Sequence, residues 1–113
     1  MSINSYTKDE VVVLEPEGKI MIGPGVRELD EKLDALLEEG QKKVILDWGK
    51  TAWIGSAVIS TLLDHYTKFK EIGGNIKLAC LTKEVQKIIA VTKLISVFEV
   101  YDTLQAALDS FKK

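Results

Sequence analysis

The spacing of apolar positions changes along the chain, and each change marks an element. Ile3 to Tyr6 and Val11-Val12-Val13-Leu14-Glu15 flank the polar turn Thr7-Lys8-Asp9-Glu10, the pattern of an N-terminal β-hairpin. The second strand heads toward Ile20 and Ile22, with Pro16 and Gly18 predicting a bulge or a break on the way. Gly23-Pro24-Gly25 then opens a helix, since proline is pre-organised for the first turn and lacks an amide that would be orphaned there. Val26, Leu29, Leu33, Leu36 and Leu37 keep the helical period until Gly40 supplies a stop.

Val44 to Trp48 is a continuous apolar strand, and a short loop leads from it to Ile54-Gly55-Ser56-Ala57, where an amphipathic helix starts and runs to Gly73-Gly74. Its apolar face carries Val58, Ile59, Leu62, Leu63, Tyr66, Phe69 and Ile72. Asn75 to Leu81 reads as a further strand. Thr82 is placed to cap a helix bearing Val85, Ile88, Ile89 and Thr92. A short strand near Val97 to Val100 precedes Asp102-Thr103-Leu104-Gln105, with the glutamine spaced as in a capping box, and a last helix that buries Leu104, Leu108 and Phe111. Strands alternating with helices of these lengths require crossovers and a mainly parallel sheet. The prediction is an α/β fold: a mixed, mainly parallel sheet of about four to five strands with an antiparallel N-terminal hairpin and about four helices.

Composition narrows the function classes. The 113 residues are 46% hydrophobic and 28% charged, with no linker or repeat to divide them, so one domain spanning 1–113 is expected. A net charge of −2 with both signs interspersed gives no basic footprint for nucleic acid and no polybasic surface for lipid. No apolar run approaches the length of a membrane span, and Met1-Ser2-Ile3-Asn4-Ser5 lacks the regions of a signal peptide; a cytoplasmic protein is expected. The single cysteine, Cys80, has no internal disulfide partner and is expected to pack as a small hydrophobe.

Several fragments resemble catalytic motifs and fall short. Gly49-Lys50-Thr51 follows a strand like the tail of a phosphate-binding loop, but Val44 stands where the first glycine is needed. The only histidine, His65, lies mid-helix without a cysteine or serine arrangement around it, as a solvated or interface residue would. Asp30-Glu31 and Glu38-Glu39 read as a charged outer helix face, and Asp64 with Lys68 as an exposed i,i+4 ion pair. Of the two tryptophans, Trp48 ends a strand and Trp53 lies in the loop before Ser56; both close the core, or else Trp53 anchors a contact. Ser56 itself stands at a helix start, facing unsatisfied amides and the positive end of the dipole. It is either an ordinary cap, whose loss in Ser56→Ala costs about 1 kcal/mol, or a switchable site.

Taken in order, four passages resemble the STAS domain of the bacterial anti-sigma factor antagonist type: Gly18-Lys19-Ile20-Met21-Ile22-Gly23, Lys43 to Trp48, Ile54-Gly55-Ser56-Ala57, and Gly73-Gly74-Asn75-Ile76-Lys77-Leu78. Thr92-Lys93-Leu94 and Val97-Phe98-Glu99-Val100-Tyr101-Asp102 are similar to that family's ending. The resemblance implies a non-enzymatic, cofactor-free regulator that binds an anti-sigma factor doubling as a serine kinase, frees a sigma factor, and is released when phosphorylated. The family's motif is Asp-Ser-Ser-Gly or Asp-Thr-Ser-Gly, and its acceptor serine falls on Ser56. Here Ile54 replaces the aspartate, Gly55 the first hydroxyl residue and Ala57 the glycine, while Met21 stands where many members carry a second aspartate.

The implied docking face comprises Met21, Ile22, Trp53, Ile54, Gly55, Ala57, Ser60 and Asp64 around the acceptor. A second hypothesis is a constitutive STAS adaptor in a lipid-transport or stress-sensing complex, with Trp53 and Ile54 making a permanent apolar contact. Small-molecule or nucleotide binding ranks third, for want of a phosphate-cradling glycine motif. The partner's identity, the signal and the oligomeric state are open at this level.

Overall fold

The computed structural model describes residues 3–20 and 23–112. Strand β1 (Ile3–Lys8) pairs antiparallel with β2 (Val11–Pro16) in the register Lys8 opposite Val11. The turn is therefore tighter than the four-residue expectation. Asp9 and Glu10 have φ of 53° and 67°, the two positive values that a two-residue hairpin turn demands. β2 then pairs parallel with β4 (Lys43–Asp47), β4 with β6 (Asn75–Ala79), and β6 with β7 (Val100–Tyr101). The resulting five-stranded sheet has the order β1-β2-β4-β6-β7, mixed and mainly parallel as the pattern predicts.

Alternation along the strands divides the core between two faces. Val12, Leu14, Val44, Leu46, Ile76 and Leu78 face helices α1 (Pro24–Glu38) and α2 (Ser56–Glu71), with α3 (Lys83–Val91) and a short 3-10 turn, Leu94–Ser96, closing the same layer. Val11, Val13 and Ile45 face the other way, onto Ala107 and Leu108 of α4 (Leu104–Ser110). Leu29, Leu33, Leu62 and Phe69 are fully buried on the helical side, and each stabilises the fold by roughly 1.5–3 kcal/mol. α1 ends with Gly40 at φ 75°, where Gly40 N–H donates to Leu37 and Gln41 N–H to Leu36, satisfying the last carbonyls.

A second, two-stranded sheet was not anticipated. β3 (Gly18–Ile20) runs parallel to β5 (Thr51–Ile54), with an irregularity between Gly18 and Lys19. The break after Pro16 is real, and Gly18 at φ 86° makes the turn out of the main sheet. The segment read as a plain loop before Ser56 is thus a strand, tied down by Thr51 Oγ1 donating to Pro16 O at 2.8 Å. Its brevity, four residues, hides it from any periodicity count.

Of two predicted caps, one differs from expectation. Thr103, not Asp102, caps α4 by accepting from the Ala106 amide at 3.1 Å, so Gln105 lies too early for a capping box and its amide donates to Asp109 instead. Thr82 caps α3 as predicted, accepting from the Val85 amide.

Candidate functional site

The entrance of α2 is built by the small sheet. Ile20 O accepts the Gly55 amide at 2.8 Å, which fixes the turn from β5 into the helix beside the end of β3. Thr82 Oγ1 donates to Thr51 O at 3.0 Å and so braces β5 from the α3 side. Three elements far apart in sequence converge on one short stretch, and that stretch presents Ser56.

Ser56 does not cap the helix. Gly55 occupies the N-cap position with φ −101° and ψ 178°, and it has no side chain to accept from the helix amides. Ser56 is the first helical residue, one position too late, and its side chain is exposed. The first turn carries no acidic residue either. The positive end of the α2 dipole is thereby left without a side-chain counter-charge, next to an exposed hydroxyl.

The structure sorts the predicted contact residues. Ser56, Ser60 and Asp64 recur every four residues and form one exposed strip of α2, with Gly55 and Ala57 half-buried at its head. Trp53 is 37% exposed and lines an open groove of about 580 Å³ with Lys19, Ala52 and Glu84. Ile54 does not belong to this surface: it is 1% exposed and packs in the main core, because the strand alternation that turns Trp53 outward turns its neighbour inward. Met21 and Ile22 lie outside the described residues. Asp64 also holds Lys68 at 3.1 Å, the expected i,i+4 pair. That hydrogen bond, reinforced by the negative charge of Asp64, raises the Lys68 pKa.

Trp48 is fully buried, so of the two tryptophans only Trp53 reaches the surface. His65 was expected as a solvated or interface residue, and it is neither solvated nor at the surface but buried between α1 and α2. It is 0% exposed, with both ring nitrogens engaged: Nδ1 lies 2.8 Å from Thr61 O, and Nε2 2.8 Å from Asp34 Oδ1 on α1. Asp30 correspondingly faces α2 and not only solvent, at 3.5 Å from the same nitrogen. Nine positions along the helix from Ser56, about 14 Å, His65 cannot serve as its base. Cys80 is half-buried with φ 60°, on the α4 side of the sheet. Burial first, and then Asp47, push its thiol pKa up, which disfavours the thiolate.

What the sequence could not signal is the bracing by Thr51 and Thr82 and the contact of His65 with α1, since each joins residues about thirty positions apart. Fold and site together define an α/β domain that displays an exposed serine at a helix entrance.

The sequence profile of the STAS domain matches residues 2–107, and the chain belongs to the STAS domain family. A curated relative from Bordetella bronchiseptica, named "Putative anti-sigma factor antagonist BtrV", is 27% identical over 85 residues, covering 75% of this chain and 73% of its own. Among solved structures, TM1081 of Thermotoga maritima superposes with a TM-score of 0.91 at 20% identity, covering 98% of this chain and 95% of that one. The anti-sigma factor antagonist SpoIIAA in its unphosphorylated form gives 0.84 at 16% identity, over 98% and 96% of the two chains. SpoIIAA of Bacillus in its phosphorylated form gives 0.77 at 15% identity, over 97% and 99%. Both forms share this chain's fold. Among the described residues no helix is long and apolar enough to cross a membrane.

Proposed function

We propose that this protein is a non-enzymatic anti-sigma factor antagonist of a bacterial cytoplasm, acting by partner switching with Ser56 as the phosphate acceptor. The observation that carries the proposal is the exposed Ser56 hydroxyl, standing at the first position of α2 without a capping bond. In the unphosphorylated state the strip Ser56, Ser60 and Asp64, with Trp53 at its edge, docks on an anti-sigma factor that is also a serine kinase, and a sigma factor is freed. Within that complex the Ser56 oxygen attacks the γ-phosphorus of ATP, ADP leaves, and the serine proton passes to a base of the kinase.

The product carries about −1.5 to −2 charges at the positive end of a helix dipole. The domain tolerates that charge well there, while a complementary partner surface loses its contact. The switch works by changing the surface and not the fold, a reading supported by the likeness of this chain to SpoIIAA in both its phosphorylated and unphosphorylated forms. The absence of carboxylates at positions 54, 55 and 57 leaves recognition of the kinase to Trp53 and to the strip beyond it.

The decisive experiment incubates the purified protein with the histidine-kinase-like anti-sigma factors of its source organism and ATP, and reads intact mass. One phosphate on the parent and none on Ser56→Ala is expected; no phosphate on the parent, or an equal signal in the variant, overturns the assignment. One observation favours the second reading, a constitutive adaptor: Trp53 is exposed beside the groove of Lys19 and Glu84. The burial of Ile54 removes the other half of its support. A stable complex that depends on Trp53 and forms without any phosphate on Ser56 is its expected signature.

A further inference from the structure

His65, the chain's single histidine, is held so that one ring nitrogen has a fixed role. Nδ1 lies 2.8 Å from the carbonyl oxygen of Thr61. A carbonyl only accepts, so Nδ1 carries the hydrogen and donates it, and in the neutral ring Nε2 is left with a bare lone pair. That nitrogen belongs to a fully buried ring, and its partners among the described residues are acceptors: Asp34 Oδ1 at 2.8 Å and Asp30 Oδ1 at 3.5 Å, both on α1. The three atoms lie within 4.8 Å of one another. Among the described residues no lysine or arginine pairs with either aspartate. Lys68 feels both as charges, but its ammonium is held by Asp64. Three potential ligand atoms therefore converge on one point between α1 and α2.

We propose that Asp30, Asp34 and His65 form a binding site for a divalent transition metal of the zinc class, tying α1 to α2. One imidazole and two carboxylates suit Zn²⁺ and its neighbours better than Mg²⁺ or Ca²⁺, which take oxygen ligands. Asp30 and Asp34 are one helical turn apart, so their carboxylates meet on a single face of α1. The hydrogen bond from Nδ1 to Thr61 O is the outer contact that fixes a ligating histidine in the tautomer with Nε2 free. Tetrahedral bonds of about 2.0 Å put ligand atoms about 3.3 Å apart, and the observed 2.8 and 3.5 Å lie on either side of that separation. Both aspartates are about half-exposed, at 46% and 48%, which gives an ion access and leaves its fourth position to water. At about 14 Å from Ser56 along α2, the site is separate from the phosphate acceptor.

The test uses the full chain carrying Cys80→Ser, which removes the single thiol as a competing ligand. After chelator treatment at pH 7.5 it is titrated with zinc chloride, read by calorimetry, native mass and thermal melting. One ion per chain and a raised melting temperature are expected. Asp30→Asn and Asp34→Asn, both at half-exposed positions whose fold circular dichroism verifies, should bind at least ~10–100-fold more weakly, the scale at which even outer contacts of a metal site act. In nitrogen-15 spectra of the parent, zinc should leave the hydrogen on Nδ1 and none on Nε2. The proposal is overturned if zinc adds neither mass nor thermal stability, if the asparagine variants bind as well as the parent, or if Nε2 holds a proton with zinc present.

Discussion

The two ends of α2 are finished in opposite ways. At the C-terminal end, Gly73 turns at φ 81° and its amide donates to Lys70 O, while the Gly74 amide donates to Phe69 O at 2.7 Å. Lys68 and Lys70 stand in the last turn, where positive charge complements the dipole. At the N-terminal end a glycine caps without a side chain and no acid stands in the first turn. The chain is able to cap a helix, since Thr82 and Thr103 do so for α3 and α4. What α2 lacks at its entrance is negative charge, and a phosphate on Ser56 would supply it.

The firmest way to test the closed end is Gly74→Ala. A Cβ there meets Lys42 O at 2.7 Å and Lys42 Cα at 2.9 Å, backbone against backbone, so no side chain can yield. A loss of roughly 3 kcal/mol in urea unfolding is expected; parent-like stability would show that this end is not locked. Next come the caps: Thr82→Ala and Thr103→Ala should each cost about 1 kcal/mol. Ser56→Ala should stay within about 0.5 kcal/mol of the parent, as an exposed position without a bond does. Equal losses in all three would erase the distinction between α2 and the other helices. Ser56→Asp has the opposite sign and is expected to stabilise by about 0.3–1 kcal/mol in thermal melts at low ionic strength, with the gain fading as salt is added.

Most of the fold was legible because its elements follow from local periodicity: the hairpin, the α1 stop at Gly40 and the Thr82 cap each rest on neighbouring residues. The misreadings concern displacements of one residue or contacts over long separations. A cap was one of two readings of Ser56, because serine at a helix start usually is one, yet the Gly55 amide bonds to Ile20 O and the helix begins one residue earlier than a cap at Ser56 requires. Ile54 and Trp53 looked alike as apolar residues before the helix. Only the hidden strand β5 shows that they point to opposite sides, one into the core and one to the surface. His65 gave no local sign of Asp30 and Asp34, because helix packing and not sequence neighbourhood brings them together. The position of Ser56 at a helix start was readable, and its exposure was not.

The smallest expected effect probes the closed end by charge alone. Lys68 sits in the last turn of α2, and its pKa is raised above 10.5 chiefly by the hydrogen bond from its ammonium to Asp64, then by the charge of that carboxylate. A group whose pKa is higher folded than unfolded contributes its stability in full below the unfolded value and loses it as pH rises through the folded one. Lys68→Gln should therefore be slightly less stable than the parent at neutral pH, and the gap should close as pH climbs past 10.5. Paired denaturation curves at neutral pH and above that value measure the gap. If it persists undiminished at the alkaline end, the residue acts through its aliphatic stem, and the dipole compensation assigned to this end of α2 would lose Lys68 as a contributor.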